Sequence, residues 1–144
     1  EKAINAKGMK TEKVSVSELN QIQSIVESLI GKVDAIYIPT DNLLAEGMAT
    51  VTMITNENKI PVIVGEEGQV VNGGLATYGL SYFNLGYKAG EMAVEILNGA
   101  NPAEMAIGYL PAEDCELIIN MATAKELGLT IPDTVLNRAR KINE

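Results

Sequence analysis

Short apolar runs of strand character alternate with segments of helical period along nearly the whole chain. That alternation restricts the fold to the α/β class with a largely parallel sheet and helices on both faces. Residues 33–38 and 60–64 are apolar almost throughout, as strands buried on both faces of a parallel sheet are. The series begins with a helix end at 2–7, stopped by Gly8, and a β-branched strand over 11–16. Ser15 followed three residues later by Glu18 fits a capping box. The helix after it places Leu19, Ile22, Ile25, Val26 and Leu29 on one face. Gly31 ends that helix, strand 33–38 follows, and Pro39-Thr40-Asp41-Asn42 turns the chain into a second helix with Leu44, Met48, Val51 and Ile54 inward. After strand 60–64, Gly65-Glu66-Glu67-Gly68 reads as a loop, Asn72-Gly73-Gly74 as a turn, and 75–80 as a further strand. A third amphipathic helix covers 84–97, with Leu85, Ala89, Met92, Ala93, Ile96 and Leu97 as its apolar face. A brief strand at 117–119, a helix at 122–127 closed by Gly128, and a polar helical tail from Pro132 complete the series.

Composition narrows what such a fold can do here. Eleven basic against nineteen acidic side chains leave a net charge of −8. That argues against general binding to nucleic acid or anionic lipid, whose affinity comes from neutralising phosphates. The chain has no His, which excludes triads and zinc sites built on imidazole. Cys115 is the single Cys, so it makes no internal disulfide, and between Asp114 and Glu116 it has no basic neighbour to activate it as a nucleophile. No apolar run reaches the length of a membrane span. No glycine-rich phosphate motif is present, and no metal or cofactor is implied. The opening Glu1-Lys2-Ala3 reads as the interior of a helix, so a segment upstream is expected.

In open parallel α/β sheets, ligands bind beyond the carboxyl ends of the strands. That rule selects Thr40-Asp41-Asn42, Gly65-Glu66-Glu67-Gly68 and Tyr78-Gly79-Leu80-Ser81-Tyr82. A carboxylate in the first two can hold a ligand ammonium through charge-assisted hydrogen bonds. Asp41 or Thr40 can equally cap the following helix, and the roles coexist if Thr40 caps while Asp41 faces the cleft. Glu66 and Glu67 read either as a solvated acidic loop or as ligand contacts. Adjacent carboxylates on extended chain point apart, which disfavours a general acid–base pair. Phe83 and Tyr87 are assigned to packing, while Tyr78 and Tyr82 are divided between packing and the wall of a pocket for an organic ligand. Gly86 and Gly90 have the G-x-x-x-G spacing, read beside Lys88 and Glu91 as close packing of a soluble helix on a sheet.

Several longer strings share one source. Val33-Asp-Ala-Ile-Tyr-Ile-Pro-Thr-Asp-Asn42, Lys59-Ile-Pro-Val-Ile63 and Gly74-Leu-Ala-Thr-Tyr-Gly-Leu-Ser-Tyr-Phe-Asn-Leu-Gly86 follow one another in order. Ala89-Gly-Glu-Met-Ala93, Leu117-Ile-Ile-Asn120 and Ala124-Lys-Glu-Leu-Gly-Leu-Thr-Ile-Pro132 continue them. Together they resemble the substrate-binding proteins of ABC transporters of the tryptophan/tyrosine-uptake type. The resemblance implies the type I periplasmic-binding-protein fold, in which two α/β lobes joined by three crossing segments close on a ligand. It implies a non-enzymatic, extracytoplasmic, often lipid-anchored importer component that captures a small zwitterion and delivers it to a membrane permease. Residues 1–79 would then form a second-lobe unit lacking its first strand, 80–116 a crossing segment and a first-lobe helix, and 117–144 the return to the second lobe and the tail. Thr40, Asp41, Asn42, Glu66, Tyr78 and Tyr82 would contact the ligand, with Asp41 as the first choice for its ammonium. The helix 84–97, without a sheet of its own, would be free to associate with a second copy. Two rivals remain at this level: a sensory ligand-binding domain of a regulator or receptor with the same fold, and a small α/β enzyme using Asp41 and Glu66.

Overall fold

The computed structural model describes residues 2–143. Its centre is a five-stranded sheet in the order β1 (Ile36–Ile38), β2 (Val62–Val64), β3 (Ala76–Leu80), β4 (Cys115–Asn120), β5 (Ala139–Ile142). β1, β2 and β3 run parallel, β3 and β4 antiparallel, and β4 and β5 parallel again. The sheet is therefore mostly parallel, as the alternation of elements requires. The helices are α1 (Lys2–Asn5), α2 (Ile22–Leu29), α3 (Asn42–Glu46), α4 (Met48–Glu57), α5 (Glu67–Val71), α6 (Tyr82–Leu97), α7 (Met121–Leu127) and α8 (Asp133–Leu136).

The core forms where the apolar faces of α2, α4 and α5 meet one face of the sheet. Ile22 and Val26 of α2, Met48, Val51 and Ile54 of α4, and Val70 of α5 close over Ile38, Val62, Val64 and Ile118. Burial alternates along β2, with Val62 and Val64 inside and Ile63 outside, so period-2 geometry sets which face is the core. A smaller cluster of Leu75, Ala124 and Leu127 seats α7. Asn120 fixes that seat: its side chain caps α7 by accepting from the Thr123 amide at 3.1 Å and donates to the Val70 carbonyl at 2.9 Å.

Several expectations change. Residues 11–16 form no strand, because β-branched alternation makes a ladder only where a neighbouring strand supplies partners, and β1 is the edge of the sheet. The helix expected from Ser15 and Glu18 opens instead with a 3₁₀ turn, Leu19–Gln21, in which Glu18 makes no side-chain cap. Ser17 donates from its amide and hydroxyl to the Gln21 side chain at 3.1 and 3.0 Å, and Leu19 stays exposed. The second helix is split at Gly47, where any Cβ would collide with Ile22 of α2. The stretch expected as the loop 65–68 is half helix, since α5 begins at Glu67. The tail holds a strand, β5, after one turn of helix. Finally, α6 is a helix of the expected extent with no buried residue. Nothing lies within 4 Å of where a Cβ would stand on Gly86 or Gly90. The expected packing of that glycine pair on a sheet is absent among the described residues.

Candidate ligand-binding site

The register of the parallel strands sets Ile38 beside Val64, so the turns that follow β1 and β2 leave the sheet at the same level. They touch through backbone. A Cβ on Gly65 would overlap the Thr40 amide nitrogen and lie 2.7 Å from the Thr40 hydroxyl; only glycine permits that approach. The next strand joins in the same way, since a Cβ on Gly79 would stand 3.0 Å from the Gly65 carbonyl oxygen and 3.7 Å from Glu66 Cα. Thr40, Gly65, Glu66 and Gly79 thus form one continuous rim at the carboxyl ends of β1, β2 and β3, where an α/β sheet binds its ligands.

The carboxylates on this rim have structural duties. Asp41 is the N-cap of α3, its Oδ1 accepting from the Leu44 amide at 3.0 Å. Capping therefore falls to Asp41 rather than Thr40. Its second oxygen has no hydrogen-bond partner among the described residues. Glu66 caps α5 with both oxygens, accepting from the Gln69 and Gly68 amides at 2.7 Å each. Glu67 points elsewhere, as adjacent carboxylates on extended chain do. It pairs at 2.8 Å with Arg140 of β5, which also reaches Glu116 of β4 at 3.2 Å. The hydrogen bond that Arg140 donates to Glu67 is the main cause that raises the guanidinium above its ordinary value, opposed by desolvation and supported by the charges of both carboxylates. Each helix N-terminus on the rim carries a carboxylate of the chain itself, which disfavours an anion there.

Asn42 is the first residue of α3 and is exposed beside Asp41. Tyr78 is not part of the same surface. It follows the buried Thr77 along the strand and so lies on the other face of β3, where its hydroxyl donates to the Ala112 carbonyl at 3.3 Å. There it borders an open groove of about 490 Å³ shared with Cys115, Leu117, Arg138 and Arg140. Tyr82 starts α6 just after the N-cap Ser81 and is exposed. The structure gathers Thr40, Asp41, Asn42 and Glu66, and sets Tyr78 and Tyr82 along the segment leading away from them.

Three features escaped the sequence reading. Arg140 joins Glu67 across 73 positions, a pairing with no local signal. Beneath the rim, Gln69 and Thr77 are each 1% exposed, and neither the Gln69 amide group nor the Thr77 hydroxyl has a hydrogen-bond partner. Among the described residues, no group of three or more His, Cys, Asp or Glu could hold a metal.

The chain is thus a mostly parallel α/β unit with an acidic, glycine-tightened rim at its strand ends. Two of the solved structures that the chain matches bear on what such a unit does. One is CD0873 from Clostridium difficile, a substrate-binding protein with adhesive properties, in a ligand-free, open structure. It is 38% identical with a TM-score of 0.74, over 98% of this chain and 46% of that one. The ABC domain from Streptococcus pneumonia in complex with L-Trp is 35% identical with a TM-score of 0.86, over 95% of this chain and 46% of that one. The tyrosine-binding protein of Clostridioides difficile (strain R20291) is 43% identical over 114 residues, 79% of this chain and 32% of that protein. The family model for ABC transporter substrate binding proteins matches residues 1–143. The chain belongs to the ABC transporter substrate-binding protein family. It spans about a third of that curated relative and under half of the solved chains.

Proposed function

We propose that this chain supplies one side of an interlobe cleft in an extracytoplasmic, non-enzymatic ABC importer component. There it would hold the ammonium group of an amino acid, aromatic ones foremost, for delivery to a membrane permease. The observation that carries this reading is the rim: among the described residues, one Asp41 carboxylate oxygen caps α3 and the other has no hydrogen-bond partner, beside Thr40 and Asn42. Arg140 is already matched by Glu67 and Glu116, so a ligand carboxylate would be held from the opposite lobe. The named ligands of relatives, tyrosine and L-Trp, agree with a zwitterion bearing an aromatic group. In this reading residues 1–79 are second lobe without its first strand, which leaves β1 at an edge and residues 11–16 without a ladder. Residues 80–116 carry a first-lobe helix, which accounts for α6 burying nothing, and residues 117–144 return to the second lobe. α6 is then also open to a second copy of the chain.

Capture would be a shift of an open–closed equilibrium, to which ligand contributes only its differential affinity for the closed form. One side of a cleft binds weakly, so the test suits nuclear magnetic resonance. Titration of the isotopically labelled chain with L-tryptophan should move the amides of residues 40–42 and 65–66, with a Kd weaker than about 1 mM, or roughly −4 kcal/mol. Asp41→Asn should abolish those shifts. Unchanged spectra throughout, or shifts that persist in the variant, would overturn the assignment.

A further inference from the structure

α5 is five residues long, Glu67–Val71, too short to hold itself in water. Its end is anchored in the fold: Val70 is fully buried, and its carbonyl accepts from the Asn120 side chain at 2.9 Å. Its start, which carries the rim residue Glu66, is held differently. Glu66 accepts from the Gly68 and Gln69 amides at 2.7 Å each. Both partners belong to the turn itself, so these bonds shape the turn without fixing where it stands. The tie that leaves the turn is Glu67, whose carboxylate meets Nη2 of Arg140 at 2.8 Å. The same guanidinium donates from Nε to Glu116 at 3.2 Å, with Nη2 also 3.2 Å from that oxygen.

Glu116 stands opposite Gly79 in the β3–β4 register. Gly79 is the rim glycine whose Cβ would stand 3.0 Å from the Gly65 carbonyl oxygen. The contacts therefore close a ring around the rim loop, from Gly65, Glu66 and Glu67 to Arg140, Glu116, Gly79 and back to Gly65. Its one cation neutralises two carboxylates that would otherwise repel each other across the ring. We infer that Arg140 is a positioning residue for the ligand site: by clamping Glu67 to Glu116 it fixes the Gly65–Glu66 half of the rim without touching a ligand. That role in binding rests on the reading of the rim as the ligand site. A guanidinium suits the task because its planar fork meets two carboxylates in fixed directions, which a lysine ammonium does not. The three side chains are each about half exposed, so the pairs add little to global stability and their effect is local to the rim.

Hydrogen exchange of the isotopically labelled chain reads the clamp without ligand. Arg140→Gln should speed exchange of the Gly68 and Gln69 amides about fivefold or more and leave the α4 amides as they are. Glu67→Gln should do the same, and the double variant no more than either, because all three cut one link. Arg140→Lys keeps the charge, loses the fork and should fall between. Arg138→Gln removes the same charge two residues away, from a side chain that forms no ion pair among the described residues, and should change nothing. Titration with L-tryptophan reads the consequence for binding. In Arg140→Gln the shifts at residues 65–66 should shrink by about half relative to those at 40–42. Exchange at Gly68 and Gln69 that Arg140→Gln leaves unmoved, or that Arg138→Gln moves as much, overturns the clamp. A wild-type ratio of tryptophan shifts in a variant whose exchange has risen overturns its role in binding. A wild-type chain that ignores tryptophan while the exchange pattern holds overturns the ligand site instead, and leaves Arg140 a clamp on the turn alone.

Discussion

One carboxylate oxygen of Asp41 holds the first turn of α3, and the proposed site would give the other to a ligand. Two substitutions separate the tasks. Asp41→Asn retains an accepting oxygen at the cap and should change stability by no more than about 0.5 kcal/mol, while losing the charge a ligand ammonium needs. Asp41→Ala loses both and should cost about 1 kcal/mol in urea unfolding. Equal stability losses for the two would show that charge rather than capping matters to the fold. Thr77 poses the opposite case. Its hydroxyl is buried without a partner, and an unpaired buried hydroxyl is a debt that an isosteric apolar group removes. Thr77→Val should therefore be neutral or stabilise by up to about 1 kcal/mol. A loss larger than that would mean the hydroxyl has a partner, such as an ordered water, that links the floor of the rim to Gln69.

Among elements, α4 and α6 show how helix formation and helix burial part company. Both have the helical period in sequence, and both form. Only α4 meets the sheet: its Met48 and Val51 are buried, whereas no residue of α6 is. Ile54→Ala in α4 should cost about 2–5 kcal/mol, while Leu85→Ala or Ile96→Ala in α6 should stay within about 0.5 kcal/mol. Similar losses from both helices would place α6 against a surface within the chain. The same distinction marks what the sequence could reveal. Apolar runs at 36–38 and 62–64, the turn at 72–74 and the glycine stop after α7 are local signals, and the elements follow them. Pairing is not local. The β-branched alternation at 11–16 has no neighbour and makes no ladder. Ala139-Arg140-Lys141-Ile142, by contrast, becomes an edge strand although its charged centre reads as polar tail. Charge on an edge strand is a common guard against unwanted pairing, so the feature that hides β5 in the sequence suits it to its place. The rim was legible as three strand ends. Its closeness was not, because Gly65 against Thr40 and Gly79 against Gly65 depend on register between strands far apart in sequence.

At the scale of the whole molecule, stability is concentrated on one side. The core packs α2, α4 and α5 against a single face of the sheet, α7 makes a smaller seat of its own, and α6 stands outside both. A sixteen-residue helix is close to the length at which isolated helices are marginal in water. Native-state hydrogen exchange should therefore divide the chain. Amides of α4, β2 and the Leu117–Asn120 half of β4 should exchange only through global opening, because releasing them exposes the core. Amides of α6 in dilute solution should exchange within about tenfold of unstructured rates, since opening the helix costs only its own hydrogen bonds. Concentration then separates the possible coverings of α6. Protection that rises with concentration along α6 would come from a second copy. Strong protection that is already present in dilute monomer would require α6 to be packed within the chain, which would contradict the assignment of this helix to another lobe.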